Sequence, residues 1–219
     1  MRTRITRCLR AQPDVTLTGA QTLRSDVGSA GTSDYDLNRW PRDVRNLTPA
    51  AVLVPLIERS DGFTVLLTER TQHLNDHAGQ ISFPGGRLES QDRGPVDAAL
   101  RETEEEVGIA PEFVEVAGYL DSYETVTGYL VAPVVGFVRK GFRLRPDHFE
   151  VADVFEVPLD FLLDPLNHQM HSRHVRGEDR RFYVFEYGAR YIWGATAGML
   201  MNLCRRLRDE LPPEAEDDA

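Results

Sequence analysis

Residues 101–109 read Arg-Glu-Thr-Glu-Glu-Glu-Val-Gly-Ile, so four of the five positions from Glu102 to Glu106 are carboxylates. At about 6 Å and an effective dielectric of about 20, each like-charged pair repels by roughly 3 kcal/mol. On a helix with 100° per residue, Glu102, Glu105 and Glu106 share an arc of about 100°, while Glu104 points away into solvent. Val96, Leu100, Thr103 and Val107 form a separate stripe fit for packing on a sheet. A solvated charged face is the ordinary reading of such a run. Two features favour chemistry instead. Arg101 stands one turn before Glu105 and can fix it by an ion pair. The Phe83-Pro84-Gly85-Gly86 turn that precedes the helix has bare backbone that a ligand can approach closely. Hard divalent cations take carboxylate and carbonyl oxygens, and Mg²⁺ leaves room for substrate phosphates. Such an ion converts mutually repelling acids into ligands.

The segment from Gly85 to Ile109, GGRLESQDRGPVDAALRETEEEVGI, resembles the box of the Nudix hydrolases, G-x5-E-x7-R-E-U-x-E-E-x-G-U with U a bulky aliphatic residue. Arg101, Glu102, Glu105, Glu106, Gly108 and Ile109 match, and Thr103 stands for the aliphatic. The earlier acid departs: six residues after Gly86 is Asp92, and eight residues rather than seven precede Arg101, which reads as one extra loop residue. A second stretch, 66–86, resembles the signature of the coenzyme A diphosphatase subgroup. Leu66, Leu67, Thr68, Arg70, Gly79, Phe83, Pro84, Gly85 and Gly86 match it. Thr71 replaces the usual Ser or Ala, and Asn75 the usual Arg. Residues 122–136, 150–159 and 192–198 are similar to later segments of that subgroup, so the resemblance spans about residues 50–207.

The resemblance implies an α/β (α+β) Nudix fold, with a mixed β-sheet sandwiched between helices. It implies Mg²⁺- or Mn²⁺-dependent hydrolysis of the diphosphate bond of coenzyme A or its derivatives, giving 3′,5′-ADP and 4′-phosphopantetheine. Glu102 and Glu106 are then the first metal ligands, Glu105 the third, directly or through water, and the Gly85 carbonyl completes the shell. Arg101 belongs to the catalytic set, and the proton acceptor is Glu105 or Glu150. Arg70, Thr71, His77, Gln80, Phe83 and Gly86 are the expected substrate contacts, with His77 equally readable as a structural histidine. Another nucleoside diphosphate conjugate, such as ADP-ribose, NADH or a dinucleotide polyphosphate, is the rival substrate. A non-catalytic nucleotide-binding module is the rival outside enzymes, and it would carry a damaged box.

These residues need a scaffold. The runs 50–58 and 63–70 read as a β-hairpin around Arg59-Ser60-Asp61-Gly62. Gly94-Pro95 opens a helix and Gly108 closes it. Strands are expected at 113–120, 129–138, 153–159 and 180–187, a helical turn in 160–165, and an amphipathic helix from Ala195 to Leu211. Three units follow: a polar, partly ordered lead-in over 1–48, the Nudix domain over 49–211, and an acidic, disordered tail over 212–219. The basic stretch 171–181 reads as a solvated loop or a contact for the 3′-phosphate. His168, His171 and His174 are spaced for zinc only if helical, Gly194–Gly198 mimics a nucleophile elbow without partners, and Tyr191 and Trp193 read as core anchors. With 219 residues, a net charge of −10 and two distant cysteines, the chain shows no general nucleic-acid or membrane affinity and no disulfide framework. No apolar run approaches a membrane span. A cytoplasmic protein acting on a small molecule is the expectation, and a homodimer stays open.

Overall fold

The computed structural model describes residues 1–13, 15–18, 21–24, 33–40, 47–73, 79–175 and 177–209; the proposed acidic tail lies outside them. The elements run α1 (Arg2–Cys8), β1 (Val15–Thr18), β2 (Gln21–Arg24), α2 (Asp34–Asn38), β3 (Thr48–Arg59) and β4 (Gly62–Arg70). Next come β5 (Ile81–Ser82), β6 (Gly85–Arg87), α3 (Pro95–Val107), β7 (Val114–Tyr119), β8 (Tyr123–Glu124) and β9 (Tyr129–Val138). The chain continues through β10 (Val151–Pro158), α4 (Leu159–Leu163), β11 (Gln169–Val175), β12 (Glu178–Tyr187), β13 (Arg190–Trp193) and α5 (Gly194–Asp209).

Among the described residues an eight-stranded mixed sheet runs β10-β4-β3-β9-β7, with β5, β6 and β8 attached to β4, β3 and β9. Its centre is the parallel pair β3 and β9, in register from Thr48 opposite Tyr129 to Ile57 opposite Val138. Parallel pairs are normally covered on both faces, which is why both strands read as nearly unbroken apolar runs. Along β3, Ala50, Val54 and Leu56 face one core, whereas Ala51, Leu53 and then Ile57 face the other. Helix α3 covers the second face through Ala98, Ala99 and Val107. The first face is covered by α1, α4 and α5, together with a three-stranded sheet β11-β12-β13. This is the α+β arrangement expected, a mixed sheet between helices. The separate small sheet was not expected, and it explains why the basic 171–181 stretch is a hairpin rather than a loop. Among the described residues, no helix is long and apolar enough to cross a membrane.

The segment read as a lead-in joins this core. Ile5 is fully buried in the main cluster, and Cys8 packs beside it. Arg10 exchanges backbone hydrogen bonds with Tyr119 at 2.9–3.0 Å. The two ends of the chain also clasp directly. Arg4 donates to the Leu207 carbonyl at 2.7 Å, Arg206 to that of Cys8 at 2.9 Å, and Arg10 and Arg206 both pair with Asp121. The Arg-rich composition of residues 1–10 concealed this, because the helix buries only Ile5 and Cys8 and spends its arginines on the rim. Tyr191 departs from its expected role: it is 41% exposed on the outer edge of the small sheet.

Truncating Ile5 leaves a cavity in the main core. Ile5→Ala should lower the unfolding free energy in urea by about 2–4 kcal/mol, with an unchanged m-value. A cost under about 0.5 kcal/mol would show that α1 is peripheral to the fold.

Candidate active site

Strand β6 brings the Gly85–Gly86 turn against β3, pairing Val52 with Gly85 and Ala51 with Gly86. At Gly85, φ is +152°, and a Cβ there would stand 2.4 Å from the Ala51 carbonyl oxygen. At Gly86 a Cβ would stand 2.5 Å from the Glu102 carboxyl. Both positions must be bare, so the backbone comes hard against the acidic edge of α3. That helix begins at Pro95 after Gly94 and ends at Gly108, whose φ of +76° closes it with a bond to the Glu104 carbonyl at 2.9 Å.

The three acids expected on one arc divide. Glu106 is buried, 5% exposed, and accepts from the Gly85 backbone N–H at 3.3 Å, with Arg70 3.8 Å away. Glu102 is half-buried beside Gly86. Glu105 is exposed and reaches Arg101 at 3.3 Å. Arg101 draws it there from one turn away, as its spacing suggested, but the same guanidinium also pairs with Glu102 at 2.8 Å. Among the described residues, no three His, Cys, Asp or Glu side chains converge closely enough to cage an ion.

Asp92 is the anchor of this network. Its carboxylate takes two bonds from Arg101, at 2.9 and 3.1 Å, and one from the Glu89 N–H at 2.8 Å. The extra loop residue therefore does not displace it, and Arg101 holds its carboxyl below the usual range.

Burial is the main force on the other two acids. It pushes Glu102 up, against the pull of Arg101. It pushes Glu106 up to about 8, against Arg70 and the Gly85 N–H. The charge of Glu150 adds to both shifts, which sets that residue at the same site. Its backbone is fixed there: the Glu150 carbonyl accepts from the Thr71 N–H at 2.9 Å, and its N–H donates to the Asp147 carbonyl at 3.0 Å. Carboxylates that oppose one another's ionisation, beside a bare backbone turn, form an all-oxygen donor set of the kind a hard divalent cation relieves.

A cavity of about 270 Å³ opens beside this edge and includes Gly85, Arg70, Gln80 and Phe83 in its lining. Arg70 Nε is buried without a hydrogen-bond acceptor among the described residues. Thr71 is not part of the lining; its hydroxyl donates to the Phe149 carbonyl at 2.8 Å and pins the 149–150 segment instead. His77 and Asn75 lie outside the described residues. His168, His171 and His174 do not gather, since the last two lie in strand β11 where a spacing of three points to opposite faces. Trp193, expected as a core anchor, lines the cavity, as does Arg180 of the basic 171–181 stretch, together with Asp34, Thr125 and Thr127, which sequence reasoning does not place at the site. The signal for Asp34 was local: Ser33 and Asp36 form a capping box that starts a helix inside the presumed lead-in.

Residues 47–176 match the family model described as NUDIX domain. The chain is 41% identical over 169 residues to the uncharacterized Nudix hydrolase NudL of Enterobacter sp. (strain 638), covering 77% of this chain and 88% of that one. The NudL of Escherichia coli (strain K12) is 40% identical over 166 residues, covering 76% and 86%. Among solved structures, the Nudix hydrolase RenU from M. smegmatis aligns over 75% of this chain and 88% of its own, with a TM-score of 0.51 at 18% identity, a likeness of fold.

The Glu106 shift carries a sign for stability. Its carboxyl has a folded value of about 8 against an ordinary 4.5, so the protonated form is favoured by folding. That contribution is complete below pH 4.5 and disappears as pH rises through 8. Without divalent cation, the unfolding free energy should fall by about 2–4 kcal/mol between pH 5 and pH 8 in wild type. Urea titrations at both pH values should show that decline much flattened in Glu106→Gln.

Proposed function

The chain belongs to the NUDIX domain family, and from that premise we propose that it hydrolyses the diphosphate bond of coenzyme A or a derivative, releasing 3′,5′-ADP and a phosphopantetheine. It is a Nudix hydrolase acting on a nucleoside diphosphate conjugate. The observation that carries the finer reading is the placing of Glu102 and Glu106 against the Gly85–Gly86 turn, next to a cavity that contains Arg70 of the 66–86 signature.

A phosphoanhydride resists attack because its anionic oxygens shield phosphorus, so catalysis consists of neutralising that charge and placing a water. Mg²⁺ or Mn²⁺ would be held by Glu102, Glu106 and the Gly85 carbonyl, with Glu105 reaching it through water. Bound there, such an ion neutralises phosphate charge and acidifies water. Arg101 keeps Glu102 oriented, and Asp92 keeps Arg101 in place. Arg70, whose Nε–H has no acceptor among the described residues, meets a diphosphate oxygen with its guanidinium. Gln80 and Phe83 contact the bound conjugate, and the Gly86 backbone lies close to its phosphates. Glu150 takes the proton from the attacking water. It is preferred to Glu105 because its backbone is pinned to Thr71 and Asp147, and its charge reaches both Glu102 and Glu106, whereas Glu105 faces solvent and is paired with Arg101.

Two experiments bear on this. With Mg²⁺ or Mn²⁺ and a panel of coenzyme A, acyl-coenzyme A, ADP-ribose and NADH, product analysis should show 3′,5′-ADP from the coenzyme A compounds at the highest kcat/KM. Glu102→Gln and Glu106→Gln should each abolish turnover with the fold intact by circular dichroism, and near-normal rates in either would refute their assignment as ligands. The second concerns the base: Glu150→Gln should lower kcat about 10²–10⁴-fold, and Glu105→Gln by less. The reverse order would transfer the role to Glu105.

A further inference from the structure

Three charged residues line the cavity: Arg70, Arg180 and Asp34. Arg70 serves the acidic edge. The other two have no contact with it and come from distant parts of the chain, Asp34 from α2 and Arg180 from β12.

Asp34 is only 1% exposed. A carboxylate so deep costs several kcal/mol unless hydrogen bonds satisfy it. It receives three: the Tyr123 hydroxyl at 3.0 Å, the Val126 N–H at 3.1 Å and Arg180 Nη2 at 3.1 Å. The Val126 bond also ties down the turn between β8 and β9, which brings Thr125 and Thr127 into the lining. Arg180 is used far less. Its bond to Asp34 engages one of the five N–H donors of a guanidinium, and Nε is sealed from water with no acceptor among the described residues. Neighbouring contacts hold β12 still beside it. The Arg181 N–H donates to Asn38 Oδ1 at 2.7 Å, Asn38 Nδ2 donates back to the Arg181 carbonyl at 3.1 Å, and the Arg181 guanidinium bonds the Leu37 carbonyl at 3.2 Å. Trp193, Tyr129 and Phe83 supply flat apolar surface in the same cavity. The result is a pre-aimed guanidinium with spare donors, in a pocket able to take a nucleoside.

We propose that Arg180 is a specificity-determining residue that pairs with a ribose-bound phosphomonoester of the substrate, and that Asp34 is the positioning residue that aims it. This rests on the reading of the chain as a coenzyme A diphosphatase. Guanidinium and phosphate match in geometry, since two parallel N–H donors meet two oxygens. A dianionic phosphate outcompetes a neutral hydroxyl for those donors, whereas Asp34, fully bonded, retains its place. Conjugates with the extra phosphate are thereby favoured over those without it, and the gain appears in binding because this group lies away from the scissile bond.

The test compares coenzyme A with 3′-dephospho-coenzyme A, and NADPH with NADH, on wild type, Arg180→Gln, Arg180→Lys and Asp34→Asn, with thermal melting as the check of folding. Wild type should prefer the phosphorylated member of the pair it hydrolyses by about 10-fold or more, mainly in KM. Arg180→Gln should bring that ratio close to one, Arg180→Lys should restore part of it, and Asp34→Asn should lower it through KM. Calorimetry of 3′,5′-ADP against 5′-AMP on wild type gives the same comparison without turnover or a variant. A wild-type ratio near one, equal affinities for the two nucleotides, or a preference that survives Arg180→Gln overturns the proposal. Turnover of NADH or NADPH without either coenzyme A compound would sink the coenzyme A reading alone, and the NADPH-to-NADH ratio would then decide the role of Arg180.

Discussion

The constraint on which the structure depends is the contact between a side-chain-free turn and the acidic edge of one helix. Gly85 and Gly86 leave no room for a Cβ, because the Ala51 carbonyl and the Glu102 carboxyl already occupy that space. Removing two carboxylates from water beside such a surface is unfavourable, and the upward shift of Glu106 expresses this directly. The fold supplies the restraint that keeps them there. β3 aligns the turn, α3 packs its apolar stripe on the sheet, and Gly108 ends the helix where the Arg145 and Asp147 N–H groups can take up its Val107 and Glu106 carbonyls.

Around that contact a single guanidinium distributes charge. Arg101 reaches Asp92, Glu102 and Glu105, and also bonds the Arg87 carbonyl at 3.3 Å. It couples the loop before the helix, the helix itself and the strand carrying the turn. A shift of any one is felt by the other two. Asp92 is the member that makes this coupling stiff, since its side chain is only 3% exposed and every strong bond it makes is to this loop and helix.

Sequence patterns foretold the elements whose signals are local. Nearly unbroken apolar runs mark β3 and β9, and Pro95 and Gly108 bound α3 to the residue. Helical angle alone brings Glu102 and Glu106 to the edge that meets the turn, whereas Glu105 is drawn to Arg101, because that angle says where a side chain starts and not which neighbour captures it. What stayed illegible was set by distant partners. Ile5 is one apolar residue among arginines, and only the core it enters reveals its role. The capping box of Ser33 and Asp36 announces the helix that Asp34 begins, but the meaning of Asp34 comes from Arg180, 146 positions away. The small sheet was missed for a related reason: β11 is mostly polar, and β12 alone carries the alternation that identifies a strand.

The clasp between α1 and α5 bears on how the molecule comes into being. Arg4 and Leu207 are 203 positions apart, and the cavity wall joins residue 34 to residue 180. Closing such large loops costs entropy that only the finished interface repays. During synthesis, α1 and α2 can meet the central sheet through Tyr119, Tyr123 and Val126 as it forms, while their contacts with β12 and α5 must wait for the rest of the chain. The wall that joins Asp34 to Arg180 can close only once β12 is in place, and a chain arrested before β12 would display its acidic edge without that wall beside it.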